Sequence, residues 1–323
     1  MYAVKGIDVS TRIRDVVEHK VSVYISLFNK YDFKVLEQIV EPVRWSLNLF
    51  SREGSVESVT TGNIVKIRSP FLRGRSCLGD NIVSIVKNVQ ENTVYIHRTA
   101  YLCNRFADDS FCPLHIGSEY SKYLLFVYGL KEFPQGVGLA LIPHMVYLLY
   151  IGGSNLKVGI ANAVKNIVRL YEQIFIYSSI VAFVENAAIA RGIEKKLSSY
   201  YVKDRASVVE RLEWIKRVDV KMIEEHLKNF VMMFSRHVKP LLKSVGIEKE
   251  KEFIPVIRFY DKCFEVVEKS YVIYDRDSLN VLEGVAEVED YCLGGFTVNL
   301  GGKRYFIPYQ LIRDHFIAID IVK

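Results

Sequence analysis

Cys103, Cys112 and His115 fall within thirteen residues, CNRFADDSFCPLH. Thiolates and a neutral imidazole are ligands that zinc prefers, and the C-x2-H step lets two donors of one turn reach the same ion. Cys77, in GRSCLGD, can return as the fourth ligand through the hairpin that the intervening residues predict. Such a zinc would be structural, fastening an irregular loop between strands. The competing reading is that isolated cysteines are small buried hydrophobes, and Cys263 and Cys292 are read that way, as core residues. Five cysteines, an odd count without a secretory signal, argue against a disulfide framework.

A second stretch, HMVYLLYIGGSNLKVGIANAVKNIVRLYEQ, runs from His144 to Gln173. Met145 to Ile151 is rich in strand formers, Gly152 to Asn155 is turn chemistry, and Leu156 to Ala161 continues as a second strand. Val164, Ile167, Val168 and Tyr171 then recur at helical spacing, leaving Lys165, Arg169 and Glu172 on another face. A β-branched run, IFIYSSIVAFV, and an Ala-rich helix opened by an Asn186 cap complete the order strand, strand, helix, strand, helix. Arg169 and Glu172, and likewise Arg191 and Glu194, are three apart and form ordinary ion pairs on the plain reading. GGSNLKVG lacks the Gly-Lys-Ser/Thr ending of a phosphate loop.

The flanking residues must position these groups. Ser10 and Thr11 as caps, with Ile13, Val16, Val17 and Val21 at helical spacing, predict a helix, and a second run from Asp32 is expected to bend or end at Pro42. From Ser55 the texture is strands, with a hairpin over 81–100. Val209, Leu212, Ile215 and Leu227 mark amphipathic helices that stop near Gly246. The last fifty residues return to short strands, with a Gly301-Gly302 turn, and suggest a small C-terminal antiparallel β barrel. The expected organisation is an N-terminal mixed α/β region carrying the zinc site (1–140), a central core (141–202), a helical connector (203–255) and a β-rich module (256–323).

The central stretch resembles the GIY-YIG nuclease superfamily, with MVYLLY in the place of its GIY strand and LKVGIA like the K-[IV]-G variant of its YIG strand. PHMVYL, LKVGI, RLYEQ and the distal Glu194 are similar to an uncharacterised archaeal and bacterial family with a cysteine-rich region ahead of this core. The resemblance implies an α+β fold with a ββαβα core. It implies that Tyr147 acts near an attacking water, Arg169 steadies transition-state charge and Glu194 holds a catalytic Mg or Mn ion, while Lys157 replaces a second tyrosine and contacts phosphate. It also makes His144 a second candidate zinc ligand, since the family has a histidine there. Ala161 replaces a threonine of the close relatives, and EQIF replaces their Glu-Gln-Gly-Ala, which alters the pocket edge.

Lys and Arg exceed Asp and Glu by 43 to 37, a balance that permits an acidic partner without demanding one. KEKEF, GGKRYF and VKDRAS suit loose phosphate contact, and Tyr305, Phe306 and Tyr309 are either base-stacking or, by preference, core aromatics. Scarce glutamine with plentiful Val, Ile, Lys, Glu and Tyr resembles the bias of thermophile proteins. The opening residues lack the order of a signal peptide, no window has the apolar length of a spanning helix, and a cytoplasmic location is expected. The leading expectation is an RNA- or DNA-binding protein with a degenerate GIY-YIG-like core and unproven catalysis, with the ribosome as one setting. An active metal-dependent endonuclease comes second and a protein-interaction scaffold third.

Overall fold

The computed structural model describes residues 1–24, 30–88, 90, 93–165, 167–198, 203, 206–244, 246 and 253–322. Among the described residues the first fifty form no helices. They form a long antiparallel hairpin, β1 (Tyr2–Tyr24) and β2 (Lys30–Ser51), in register from Tyr2 opposite Ser51 to Tyr24 opposite Lys30. The apparent helical spacing has a strand origin. Register shifts between Val4 and Gly6, Ser10 and Thr11, and Ile13 and Asp15 interrupt the period of two, so apolar positions drift between faces. Ile13 and Val16 are exposed, at 55% and 49%, whereas Val21 and Val35 are buried. Pro42 sits opposite Thr11 at the second shift, where a strand tolerates its missing N–H.

β3 (Val56–Val59) pairs with β2, and β4 (Ile64–Arg75) follows. The hairpin expected over 81–100 is present as a separate two-stranded sheet, β5 (Asp80–Asn88) and β6 (Thr93–Tyr101). Helix α1 (Glu119–Val127) is capped by the Ser118 hydroxyl, which accepts from Ser121 N at 3.2 Å. Val83 of β5 packs with Tyr123 of α1 and with Leu139 and Ala140 of α2 (Gly138–Leu141).

Next come β7 (His144–Gly152), β8 (Asn155–Asn162), α3 (Val168–Tyr171), β9 (Tyr177–Val184) and α4 (Ala187–Ser198). The Asn186 cap is as expected, with Oδ1 accepting from Ala188 N and Ile189 N at 3.0 and 3.1 Å. These elements are not a ββαβα core. β9 pairs with β10 (Ile254–Phe259), and β10 runs parallel to β2, so the three strands are one end of a far larger sheet. The amphipathic helices are α5 (Val208–Lys216), α6 (Ile223–Met233) and α7 (Lys239–Ser244), with Gly246 beyond them at φ 75°. A five-residue π segment, Phe234–Val238, separates α6 from α7. It relieves the clash that Pro240 would cause in a regular helix.

After α8 (Asp261–Glu268) come β11 (Tyr271–Val272), β12 (Gly284–Cys292), β13 (Gly295–Leu300), β14 (Lys303–Pro308), α9 (Tyr309–Ile312) and β15 (His315–Val322). The Gly301-Gly302 turn joins β13 to β14 as read, but no barrel closes. β12 and β15 both pair with β4, and β15 also meets β1, so these strands extend the sheet in the order β11-β14-β13-β12-β4-β15-β1-β2-β10-β9-β7-β8, with β3 beside β2. The result is one open, mixed sheet of thirteen strands, with 47% strand against 27% helix. Its main core carries Leu49, Tyr150, Phe175, Phe230, Phe259 and Phe306. Cys263 and Cys292 are buried as expected, but they are joined as a disulfide linking α8 to the end of β12. No described helix is long and apolar enough to cross a membrane.

Candidate functional site

The cysteine-histidine reading holds. Cys77, Cys103, Cys112 and His115 place one donor atom each within 4.8 Å of one another. His115 Nδ1 lies 3.4 Å from the Cys77 sulfur and 3.3 Å from that of Cys112, and the Cys103 and Cys112 sulfurs are 4.0 Å apart. These separations are of the size expected between ligands that share one tetrahedral ion with metal–ligand bonds of roughly 2.0 to 2.3 Å. Backbone N–H groups of Gly79 and Cys112 donate to the Cys77 sulfur at 3.4 and 3.3 Å, which favours a thiolate. Burial pushes the Cys77 thiol up to about 11. Burial also opposes ionisation of Cys112, but hydrogen bonds from His115 and Cys77 outweigh it and bring that thiol to about 7. The group can hold a metal ion. Its ligands bracket the β5–β6 hairpin, whose base is tight: a Cβ on Gly79 would lie 2.0 Å from the Tyr101 carbonyl oxygen.

His144 does not join this group. Its Nδ1 is 2.8 Å from the Ile142 carbonyl and must carry the proton there, so Nε2 accepts from the Tyr123 hydroxyl at 2.9 Å. Burial lowers its proton affinity and keeps it neutral.

Tyr147, Lys157 and Arg169 are brought together by a residue that the sequence reading missed, Gln173. The buried Gln173 side chain donates to the Tyr147 hydroxyl at 2.6 Å and to the Arg169 carbonyl at 3.4 Å, and accepts from Lys157 Nζ at 3.2 Å. Arg211, 4% exposed, adds a second cation to Gln173 Oε1 at 3.4 Å and reaches Gln310 at 2.7 Å. Burial brings its guanidinium down to about 10. The space between tyrosine and lysine is therefore filled by an amide, not open to a phosphate. Glu194 lies on α4, buried and ion-paired with Arg191, and its charge raises the proton affinity of Tyr147. Gly159 lets the Tyr147 ring lie flat on β8, since a Cβ there would meet its hydroxyl at 2.5 Å. Gly159→Ala should displace Tyr147 from Gln173 and lower stability by about 1 to 3 kcal/mol in a urea melt; an unchanged midpoint would contradict this packing.

An open cleft lies on the other side of Arg169. It measures about 580 Å³ and is walled by β1, the base of β5–β6, α1, the β8–α3 turn and the residues after α9. Lys5, Arg98, Lys165, Arg169 and Arg313 line it together with Asp8, Asp80, Glu172 and Asp314, as do five tyrosines: Tyr101, Tyr120, Tyr123, Tyr128 and Tyr309. Glu172, 1% exposed, accepts from Arg169 at 2.5 Å and Lys165 at 2.9 Å. Burial opposes its ionisation, yet Arg169, Lys165 and Arg313 outweigh that and bring its carboxyl to about 2. Arg313 also pairs with Asp314 at 3.1 Å. Arg98 and Lys5 are held by neutral groups, the Asn81 amide and the Cys77 carbonyl.

The C-terminal aromatics take other places. Phe306 and Tyr309 are core residues, Tyr305 packs on Tyr271 and Arg304 pairs with Glu289. KEKEF lies outside the described residues except for Phe253, and VKDRAS except for Lys203, Ala206 and Ser207.

Residues 125–269 match the family described as a protein of unknown function, DUF2797. The similarity to an uncharacterised family thus holds over the segment containing β7 to α8. No curated protein and no solved structure matches the chain.

Proposed function

We propose that the protein binds nucleic acid in the tyrosine-lined cleft, and that a zinc ion held by Cys77, Cys103, Cys112 and His115 fixes the hairpin forming one wall. One observation carries the reading. Lys5, Arg98, Lys165, Arg169 and Arg313 line the cleft beside Asp8, Asp80, Glu172 and Asp314, and Arg98 and Lys5 rest on the neutral Asn81 amide and Cys77 carbonyl. A wall with this small excess of positive charge, two of its cations held by neutral groups, and edged by aromatic rings suits a ligand that alternates phosphates with flat bases. Zinc is the metal that three thiolates and an imidazole in a tetrahedron favour, and such closed four-ligand sites are structural.

Binding, not cleavage, is the function supported. The residues that the GIY-YIG resemblance assigns to chemistry are tied up: Tyr147 and Lys157 by Gln173, and Glu194 by Arg191.

Fluorescence anisotropy with labelled RNA and DNA, repeated across a salt series, tests the reading. Log affinity should fall linearly with log salt, and Arg98→Ala and Lys165→Ala should each weaken binding and reduce that slope by about one. Absent or salt-insensitive binding would contradict it.

A further inference from the structure

The β5–β6 hairpin has two faces, and its register assigns them. Val83 stands opposite Arg98 and Ile85 opposite Ile96 on one face; Val86 stands opposite Tyr95, Ser84 opposite His97 and Asp80 opposite Tyr101 on the other. At the base, the first face packs Val83 against α1 and α2. The second carries Tyr95, His97 and Tyr101 in alternation along β6, and Tyr95 and Tyr101 are 46% and 52% exposed. The Tyr95 and His97 rings lie parallel to within 30° with centroids 6.4 Å apart. Tyrosines set for core packing are not displayed in this way; in this chain Tyr147, Tyr150, Tyr177 and Tyr309 are all fully buried.

From this geometry we infer that the outer face of β6 is a stacking platform for unpaired bases, so the ligand engaged by the hairpin is single-stranded nucleic acid. The inference rests on the cleft reading, and continuity supports the choice of occupant. Tyr101 belongs both to the outer face of β6 and to the lining of the cleft, whereas Arg98 lines the cleft from the inner face, so a strand that leaves the cleft at Tyr101 can lay its next bases on His97 and Tyr95. Rings on a pleated strand recur on one face every second residue, a spacing of roughly 6.5 to 7 Å that an extended single strand matches and a stacked duplex does not offer. Rigidity supports it as well. Cys77 and Cys103, at the two ends of the hairpin, belong to the metal-binding group, so the platform is held at both legs.

The test compares a labelled single strand of about ten nucleotides, in RNA and DNA versions, with a duplex of the same length, using full-length zinc-loaded protein. The wild type should prefer the single strand. Tyr95→Ala and His97→Ala, at exposed positions that leave the melting curve unchanged, should each weaken single-strand binding about fivefold or more and leave duplex binding unchanged. Tyr95→Phe should retain affinity because it keeps the ring. Single-strand affinity unchanged in the double variant Tyr95→Ala/His97→Ala would overturn the platform, as would a wild-type dimer that the same variant converts to monomer in light scattering. If Arg98→Ala and Lys165→Ala weaken binding while the double variant does not, the platform fails and the cleft reading stands. If no variant matters and no strand binds, both fail.

Discussion

Replacing Cys112 by serine, or stripping metal with a chelator, is expected to loosen one region of the protein while sparing its sheet. Purified protein should carry about one zinc per chain, and the variant about none. The ligands are spread over residues 77 to 115, and the loop between β6 and α1 has little regular structure to hold it. Structural zinc sites supply apparent binding free energies of roughly 10 to 16 kcal/mol in small peptides. Even a fraction of that exceeds what the loop's own hydrogen bonds contribute. Amide exchange over residues 103–118 should therefore accelerate by several orders of magnitude, whereas β7 and β9, buried in the sheet, should exchange as before. Zinc should also leave as pH falls, because the thiolates and the imidazole take up protons. Metal-free protein with unchanged exchange in that loop would show that the cysteines are only packing.

Glu172→Gln is expected to be the most destabilising single change at the cleft. The carboxylate is buried and holds Arg169 and Lys165. Removing its charge leaves like charges facing one another in a place shielded from water, at a cost of about 3 to 5 kcal/mol. The pH dependence has a definite sign. The folded carboxyl titrates near 2, against an ordinary 4.5. Its contribution is therefore complete above pH 4.5 and is lost as pH falls from 4.5 toward 2, a loss of about 3 kcal/mol in total. Urea melts between pH 2 and 6 measure this directly, and the variant should lack that part of the acid sensitivity. At neutral pH the same substitution should tighten nucleic-acid binding at low salt, because it adds net positive charge to the wall. A fall in stability paired with a gain in affinity separates the electrostatic role of Glu172 from a purely architectural one.

How much could be read beforehand depended on how local the signal was. The β5–β6 hairpin, the turn at Gly301-Gly302, the Asn186 cap and the metal-binding group were legible because each depends on residues near one another in sequence or on scarce side chains. The N-terminal hairpin was not, because three register shifts in β1 disguise its alternation, so that Ile13, Val16, Val17 and Val21 imitate a helix stripe. The sheet as a whole was hidden for another reason. Pairings such as Tyr2 with Ile317, or Ile64 with Val322, join residues from opposite ends of the chain, and short strands carry no mark of which partner they take. At the cleft, Arg169 and Glu172 were visible as a helical pair. Gln173, Arg211 and Arg313 were not, since a buried amide or guanidinium gains meaning only from partners that folding delivers.

Photo-crosslinking of bound single-stranded nucleic acid, followed by peptide mapping, tests the central claim most directly. Crosslinks at Tyr101, Tyr120 or Tyr128, lost together with binding at high salt, are the predicted result. Crosslinks confined to the β13–β14 edge or to helices α5 to α7, or none from a strand that does bind, would contradict the placement of nucleic acid in the cleft.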